Sequence, residues 1–546
     1  MTANLPTAAT TGVSGVHALI KHFVARGVKH MYGVPGGDCS IDIIAEAEAQ
    51  GIKFILTRSE NSAAMMAAAA YQINGSLGVV LTTRGPGLAN GVNGVACAML
   101  DRCGIVLISD GYENDQAFVS HQRFDQQRVL EPVVKGSLRI DAPTCLPALG
   151  PLLDLALARP AGPVYLEVTG NGMRGIAPDM ALPMQTAPSV KLAPHQPALI
   201  AAAHDIMKAA KRPVIIAGLQ TRDKGAAAGL RALAAQWQCP VLSTYMGKGA
   251  LPDADPLMVG HFMAGGAENE TMKAADLIVT YGMDPIELLP KPWPYGGAVI
   301  NISTYPFDRN HYSPAITLIG ELLDAANQLA ENLPRSPWQA DTIAALKRHM
   351  RTRATADADG AITPTYLAQT VCKLLPPNVR ITVDAGAHML PTLAFFEAKN
   401  PYDALLSRGL ATMAYGLPSG IGAAIADPAR PVVTFTGDGG LMMCTAELAT
   451  AVQAGCKLTV IVFNDSSIAM IGVKQNQRGF DRVGMDYSPS DFAKIAEGFG
   501  CKSFTVKERA ELAPTFIKAL ACEGVTVIDV LVDHATYQQQ VRSLRG

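Results

Sequence analysis

The stretch from 434 to 465, TFTGDGGLMMCTAELATAVQAGCKLTVIVFND, constrains the fold of this chain more than any other. A β-branched and aromatic run, 431–436, stops at Gly437-Asp438-Gly439-Gly440. Helical spacing follows, carried by Leu441, Ala446, Leu448, Ala449, Val452 and Ala454, and a second apolar run, 458–463, ends in Asn464-Asp465. Strand, helix and strand of this length make a βαβ unit, whose strands run parallel. Asp438 and Asp465 therefore end neighbouring strands at the carboxyl edge of a sheet, where open α/β folds bind ligands. Two carboxylates there form a hard oxygen site for Mg²⁺, which completes its shell with phosphate oxygens. The glycines admit backbone N–H groups to an anion, and a helix start favours negative charge. Gly-Asp-Gly alone also makes ordinary turns. What narrows the reading is the Asn-Asp that follows a second strand, 27 residues after Asp438.

The rest of the chain repeats the alternation. Strands are expected at 28–34, 53–57, 78–83, 105–108 and 162–168, then at 213–217, 240–243, 277–281 and 298–302, and finally at 381–383, 432–435, 459–463 and 525–531. Between them lie helical segments such as 41–48, the alanine-rich 63–70 and the small-residue run 88–99. Segments 176–196 and 333–363 read as connections. The pattern predicts an α/β chain of three consecutive doubly wound parallel-sheet domains, at 1–175, 196–332 and 364–546.

Composition excludes several classes. At 49% hydrophobic and 17% charged residues, the 546-residue chain reads as globular with large buried sheets. A net charge of −2 offers no basic field to nucleic acid, and no apolar run matches a membrane span. Residues 1–12 lack the pattern of a signal peptide, and the ten cysteines form no CxxC, so a cytoplasmic protein without a zinc or disulfide framework is expected. No Gly-x-Gly-x-x-Gly follows the first strand, which leaves a nicotinamide dehydrogenase without support.

Taken together, YGVPGG at 32–37, the glutamate segment 58–62, RGPGLANGVNG at 84–94, HQRFDQ at 121–126, GPVYLEV at 162–168, GKGALPDADPL at 247–257 and TMAYGLPSGIGAA at 412–424 join the 434–465 stretch in one likeness. The chain resembles the acetolactate synthase and 2-oxo-acid decarboxylase superfamily of thiamine diphosphate enzymes, benzoylformate decarboxylase-like members included, over almost its whole length. The resemblance implies a pyrimidine-binding first domain, a central domain and a diphosphate-binding third domain. It also implies active sites between subunits, hence a homodimer or homotetramer.

The resemblance carries over roles residue by residue. Glu60 is expected to bond the aminopyrimidine and promote loss of the thiazolium proton; a surface pairing with Arg58 is the plain alternative. Asp438 and Asp465 by side chain, and Ser467 by its carbonyl, are expected to hold Mg²⁺. Met413 would support the cofactor and the Ala411 carbonyl would accept its amino group. Pro35, Gly36, Pro86, Asn90, Gly437, Gly439, Gly440 and Ile468 complete the expected cofactor contacts. Gln122 and His388 are the candidates for substrate contact. Arg84 stands where relatives more often carry a small residue, and either faces an acidic substrate group or forms a structural ion pair. In the central domain, Gly282-Met283-Asp284-Pro285-Ile286-Glu287 replaces the segment of flavin-binding synthases, which argues against FAD.

The implied activity is addition of the cofactor to a 2-oxo acid, release of CO₂ and attack of the carbanion–enamine on a second carbonyl to give an acyloin. A simple decarboxylase, a lyase cleaving an acyloin, diketone or oxalyl-type substrate, and a non-catalytic regulatory subunit are the alternatives.

Overall fold

The computed structural model describes residues 12–116, 118–178, 192–263, 266–308 and 311–545. Residues 1–11 and most of the 176–196 connection lie outside them. The chain divides into two compact units, Met1–Val190 and Lys191–Gly546. The first holds one six-stranded parallel sheet and the second holds two more. Among the described residues no helix is long and apolar enough to cross a membrane.

The first sheet is built from His30–Val34, Lys53–Leu56, Gly78–Thr82, Ile105–Asp110, Ser137–Ile140 and Val164–Val168. Numbered along the chain, its strands lie in the order second, first, third, fourth, sixth, fifth. The third sheet, from Arg380–Val383, Ala404–Leu406, Val432–Gly437, Leu458–Asn464, Lys502–Val506 and Val525–Leu531, has the same order. The middle sheet differs. Its strands, Pro213–Ala217, Val241–Ser243, Met258–His261, Leu277–Tyr281, Ala298–Ser303 and Ile316–Ile319, run third, second, first, fourth, fifth, sixth. In each sheet the winding reverses beside the first strand, and that reversal opens a crevice at the carboxyl edge.

The interior strands match the sequence expectation because they are buried on both faces and so consist of continuous apolar runs. Leu458–Asn464, for example, is buried at every residue. Within the three six-stranded sheets, five strands escaped the pattern: Ser137–Ile140, Met258–His261, Ile316–Ile319, Ala404–Leu406 and Lys502–Val506. All five are edge strands. They are short, and most are partly exposed, so their apolar signal is weak.

Two expectations need correction. The single helix after Gly440 is two short ones, Asp438–Met442 and Glu447–Gln453, because Met442 and Met443 turn outward and the apolar spacing lapses between them. The connection 333–363 contains a 15-residue helix, Ala340–Ala354, which buries Ile343, Leu346, Met350 and Ala354 and packs on the strand Met258–His261.

Candidate active site

In the third sheet the crevice lies between Arg380–Val383 and Val432–Gly437, and each strand delivers an acid to it. Asp438 follows the second of these. Its Oδ1 accepts from the N–H of Gly439 (2.7 Å), and its Oδ2 from those of Asp465 (3.1 Å) and Ser466 (2.6 Å). One carboxylate thus ties two strand ends together. Asp465 accepts through Oδ1 from the N–H and the hydroxyl of Ser467, each at 3.0 Å. Burial, and then the charge of Asp438, push the Asp465 carboxyl up to about 7. Burial raises Asp438 as well.

Ser466 is left-handed (φ 58°), and Ser467 bridges Asp486. The bonds beside that bridge run from Ile468 N–H to Met485 (2.9 Å) and from Tyr487 N–H to Ser466 (3.1 Å), and neither engages the Ser467 carbonyl. Two crowded carboxylates and a carbonyl suit a hard divalent cation such as Mg²⁺. Among the described residues no group of three or more His, Cys, Asp or Glu side chains gathers as a metal site, so protein carbonyls and a ligand's oxygens would have to complete the shell of any cation held here.

Each glycine of the motif answers to a different neighbour. A Cβ on Gly437 would lie 3.1 Å from His388 Nδ1, one on Gly439 3.3 Å from Met413 Cε, and one on Gly440 2.1 Å from Asp384 Oδ2. A side chain at 439 would press on the Met413 methyl, so glycine lets Met413 come close to the Gly-Asp-Gly turn. His388 is buried, packs against Phe463 with ring centroids 5.4 Å apart and planes tilted by 34°, and is held neutral by burial, its pKa lowered to about 4. It packs beneath Gly437.

Asp384 was not among the candidates, yet it organises this crevice. It is fully buried and accepts four bonds: from Ala385 N–H (2.8 Å) and Tyr415 N–H (3.1 Å) at Oδ1, and from Ala414 N–H (3.2 Å) and the Thr436 hydroxyl (3.0 Å) at Oδ2. Burial raises its pKa to about 6. The loop it holds contains Ala411 and Ala414 at φ 52° and 67°, conformations that cost a non-glycine residue about 1–3 kcal/mol each. Met413 sits between them. The sequence signal was present in Val383-Asp384-Ala385-Gly386, an acid ending a strand before a glycine.

In the first sheet the crevice lies between His30–Val34, which leads into Pro35-Gly36, and Gly78–Thr82, which leads into Arg84-Gly85-Pro86. Gly36 has no room for a side chain, since a Cβ would stand 2.5 Å from Thr83 Oγ1 and 2.7 Å from Asp110 Oδ2. Pro86 opens the helix Pro86–Leu100. Glu60 opens the helix Glu60–Asn74, is 8% exposed, and accepts from Asn90 Nδ2 at 2.5 Å. Its other oxygen faces Gly87, where a Cβ would lie 3.0 Å away. Among the described residues no ion pair joins Glu60 to Arg58, which donates to the Leu56 carbonyl at 2.9 Å. Gln122 is exposed and left-handed (φ 56°), pressed against Gly85. Arg84 forms an ion pair with Asp38 at 2.5 Å.

Comparison with known proteins decides the family. Profiles described as the N-terminal TPP binding domain, the central domain and the C-terminal TPP binding domain of thiamine pyrophosphate enzymes match residues 13–129, 200–329 and 384–530 in that order. The chain belongs to the thiamine pyrophosphate enzymes. Its similarity to curated members is full-length. It is 28% identical to the acetolactate synthase of Bacillus subtilis (strain 168), over 95% of this chain and 93% of that one. The catabolic acetolactate synthase of Raoultella terrigena is likewise 28% identical, over 95% of both chains. The large subunit of acetolactate synthase isozyme 3 of Escherichia coli (strain K12) is 27% identical over 97% of both. As a thiamine pyrophosphate enzyme, the protein works on carbon–carbon bonds with that cofactor.

Proposed function

We propose that the protein is an acetolactate synthase-like carboligase, which decarboxylates a 2-oxo acid and joins the remaining fragment to a second carbonyl compound. The full-length likeness to acetolactate synthases carries this reading, and the paired carboxylates and the buried Glu60 agree with it. Thiamine diphosphate, when bound, supplies the nucleophilic carbon and takes up the electron pair released with CO₂.

The chain's own residues do the positioning. Asp438, Asp465 and the Ser467 carbonyl would hold Mg²⁺, at the point where the two carboxylates repel each other. Backbone at Gly437, Gly439, Gly440 and Ile468 surrounds the diphosphate. Met413 supports the middle of the cofactor, and the Ala411 carbonyl accepts from its amino group. Asp384 keeps that loop in its left-handed conformation. Pro35, Gly36 and Pro86 border the aminopyrimidine. Glu60, oriented by Asn90, holds a proton at the aminopyrimidine N1′, in a site dry enough to tune the transfer. Gln122 faces the substrate, whereas His388, buried and neutral, serves as packing. Two copies of the chain complete the site between them, and the protein works in the cytoplasm, a reading that the scattered cysteines without a CxxC pair support.

The test is a product screen. Protein loaded with thiamine diphosphate and Mg²⁺ is given pyruvate and other 2-oxo acids, with CO₂ and carbon–carbon products followed by mass spectrometry. Acyloin product is expected. Aldehyde alone makes the protein a simple decarboxylase, and consumption only of acyloins or diketones makes it a lyase.

A further inference from the structure

Beside the Gly85–Gln122 contact the first unit holds an open polar pocket, lined among others by Arg84, Tyr112, Gln122, Arg123 and Arg139. Tyr112 is its centre. The Arg84 guanidinium lies over the Tyr112 ring, 4.4 Å from the centroid, and that of Arg123 lies 5.6 Å from the same centroid. Arg139 donates to the Tyr112 carbonyl, and the Tyr112 hydroxyl donates to the carbonyl of His121. One residue therefore gathers three guanidiniums in the pocket that Gln122 also lines.

Their charges are not equally balanced. Arg139 pairs with Glu167 and lies 3.6 Å from Asp141, and Arg84 pairs with Asp38. Asp125 is occupied as a helix cap, accepting from Arg128 N–H at 2.9 Å. Arg123 donates to the Gln116 carbonyl (2.6 Å) and, among the described residues, meets no carboxylate. A guanidinium already fixed by a ring and a carbonyl loses little freedom when it binds an oxyanion, and its planar N–H pairs match a carboxylate bidentately. Two cations against one ring also repel, and an anion brought to them relieves that repulsion.

We propose that the substrate carries a second oxyanion group, besides the carboxylate next to its reacting carbonyl, and that Arg123, with Arg84 beside it, binds that group in this pocket. This rests on the reading of the protein as an enzyme acting on 2-oxo acids. Carboxylate and sulfonate share the chemistry the pocket recognises.

The test uses protein loaded with thiamine diphosphate and Mg²⁺ and two substrates of equal length, 2-oxoglutarate and 2-oxopentanoate, with a terminal-sulfonate analogue as a third arm. The kcat/KM ratio of acid to neutral substrate is expected above roughly tenfold, and Arg123→Gln is expected to lower it by about that factor. Because the ratio cancels any general loss of folding, a wild-type ratio near one, or an unchanged ratio in the variant, overturns the proposal. A better sulfonate than carboxylate identifies the oxyanion.

If none of the three is consumed, calorimetry with glutarate decides. Binding that weakens roughly tenfold in Arg123→Gln, and also in about 0.5 M salt, upholds the pocket. No heat, or the same constant in both proteins, overturns it. Thiamine diphosphate binding is measured on the same samples. Glutarate bound through Arg123 by a protein that takes no thiamine diphosphate upholds the pocket and removes the cofactor reading, and the reverse removes the pocket alone.

Discussion

The middle and third sheets both present a crevice where their winding reverses, but the two crevices are furnished differently. The middle sheet even has the strand order used by dinucleotide-binding domains. Its edge is filled by its own side chains. Glu287 accepts from the N–H groups of Leu219 and Asp284, both at 2.9 Å, and from the Thr244 hydroxyl. Gln220 donates to Ser303 Oγ (2.9 Å) and accepts from the N–H and hydroxyl of Thr304 (2.8 and 2.9 Å). In the third sheet, by contrast, Asp438 and Asp465 crowd each other and glycine keeps the backbone bare. The fold supplies a crevice in both, and the side chains at the strand ends decide whether it is closed or left for a ligand.

The contrast can be broken experimentally. The largest expected effect comes from the first sheet, whose strand order the third one shares. Glu60→Gln should slow exchange of the cofactor's C2 proton by roughly 10²–10⁴-fold while cofactor binding changes little. Exchange at the wild-type rate would remove Glu60 from the chemistry.

Asp438→Ala should weaken Mg²⁺-dependent cofactor binding by at least roughly tenfold, measured by fluorescence titration. Glu287→Gln, at the corresponding place in the middle sheet, should leave that affinity alone. Equal losses in both variants would erase the distinction between the two edges.

Asp384→Asn turns one acceptor oxygen into a donor facing N–H or hydroxyl groups. It should cost about 1–3 kcal/mol of stability and speed hydrogen exchange at Ala414 and Tyr415. A variant with wild-type protection of those amides would show that the loop holds its conformation unaided.

The smallest effect concerns pH. Burial raises the Glu287 carboxyl from 4.5 to about 7 in the folded protein. Between those values the folded chain keeps a proton that the unfolded chain has released, so this group's contribution falls as pH rises from about 4.5 to about 7. Denaturation midpoints of wild type should decline across that window relative to Glu287→Gln. Parallel curves would mean that Glu287 is already ionised at its site.

Glu60 and Asp438 stood out in the chain itself because local order marks them: each sits at a strand-to-helix junction rich in small residues. The interior strands were equally visible, since burial on both faces demands unbroken apolar runs. Of the six edge strands in the six-stranded sheets only Lys53–Leu56 left such a mark; the other five are short and most are partly solvated. Arg84 shows the limit within the site. Its sequence context allowed either a substrate contact or an ion pair, and only the approach of Asp38, from another strand end, reveals the pair. The same holds for Asp384, whose four donors come from three separate segments, and for Asn90, which meets Glu60 from a neighbouring helix. Composition, periodicity and the Gly-Asp-Gly motif determined the three wound sheets and the acids at their edges. Which polar groups meet, and which side chains furnish each crevice, was decided by tertiary structure, because sheet register and helix packing set distances between residues far apart in the chain.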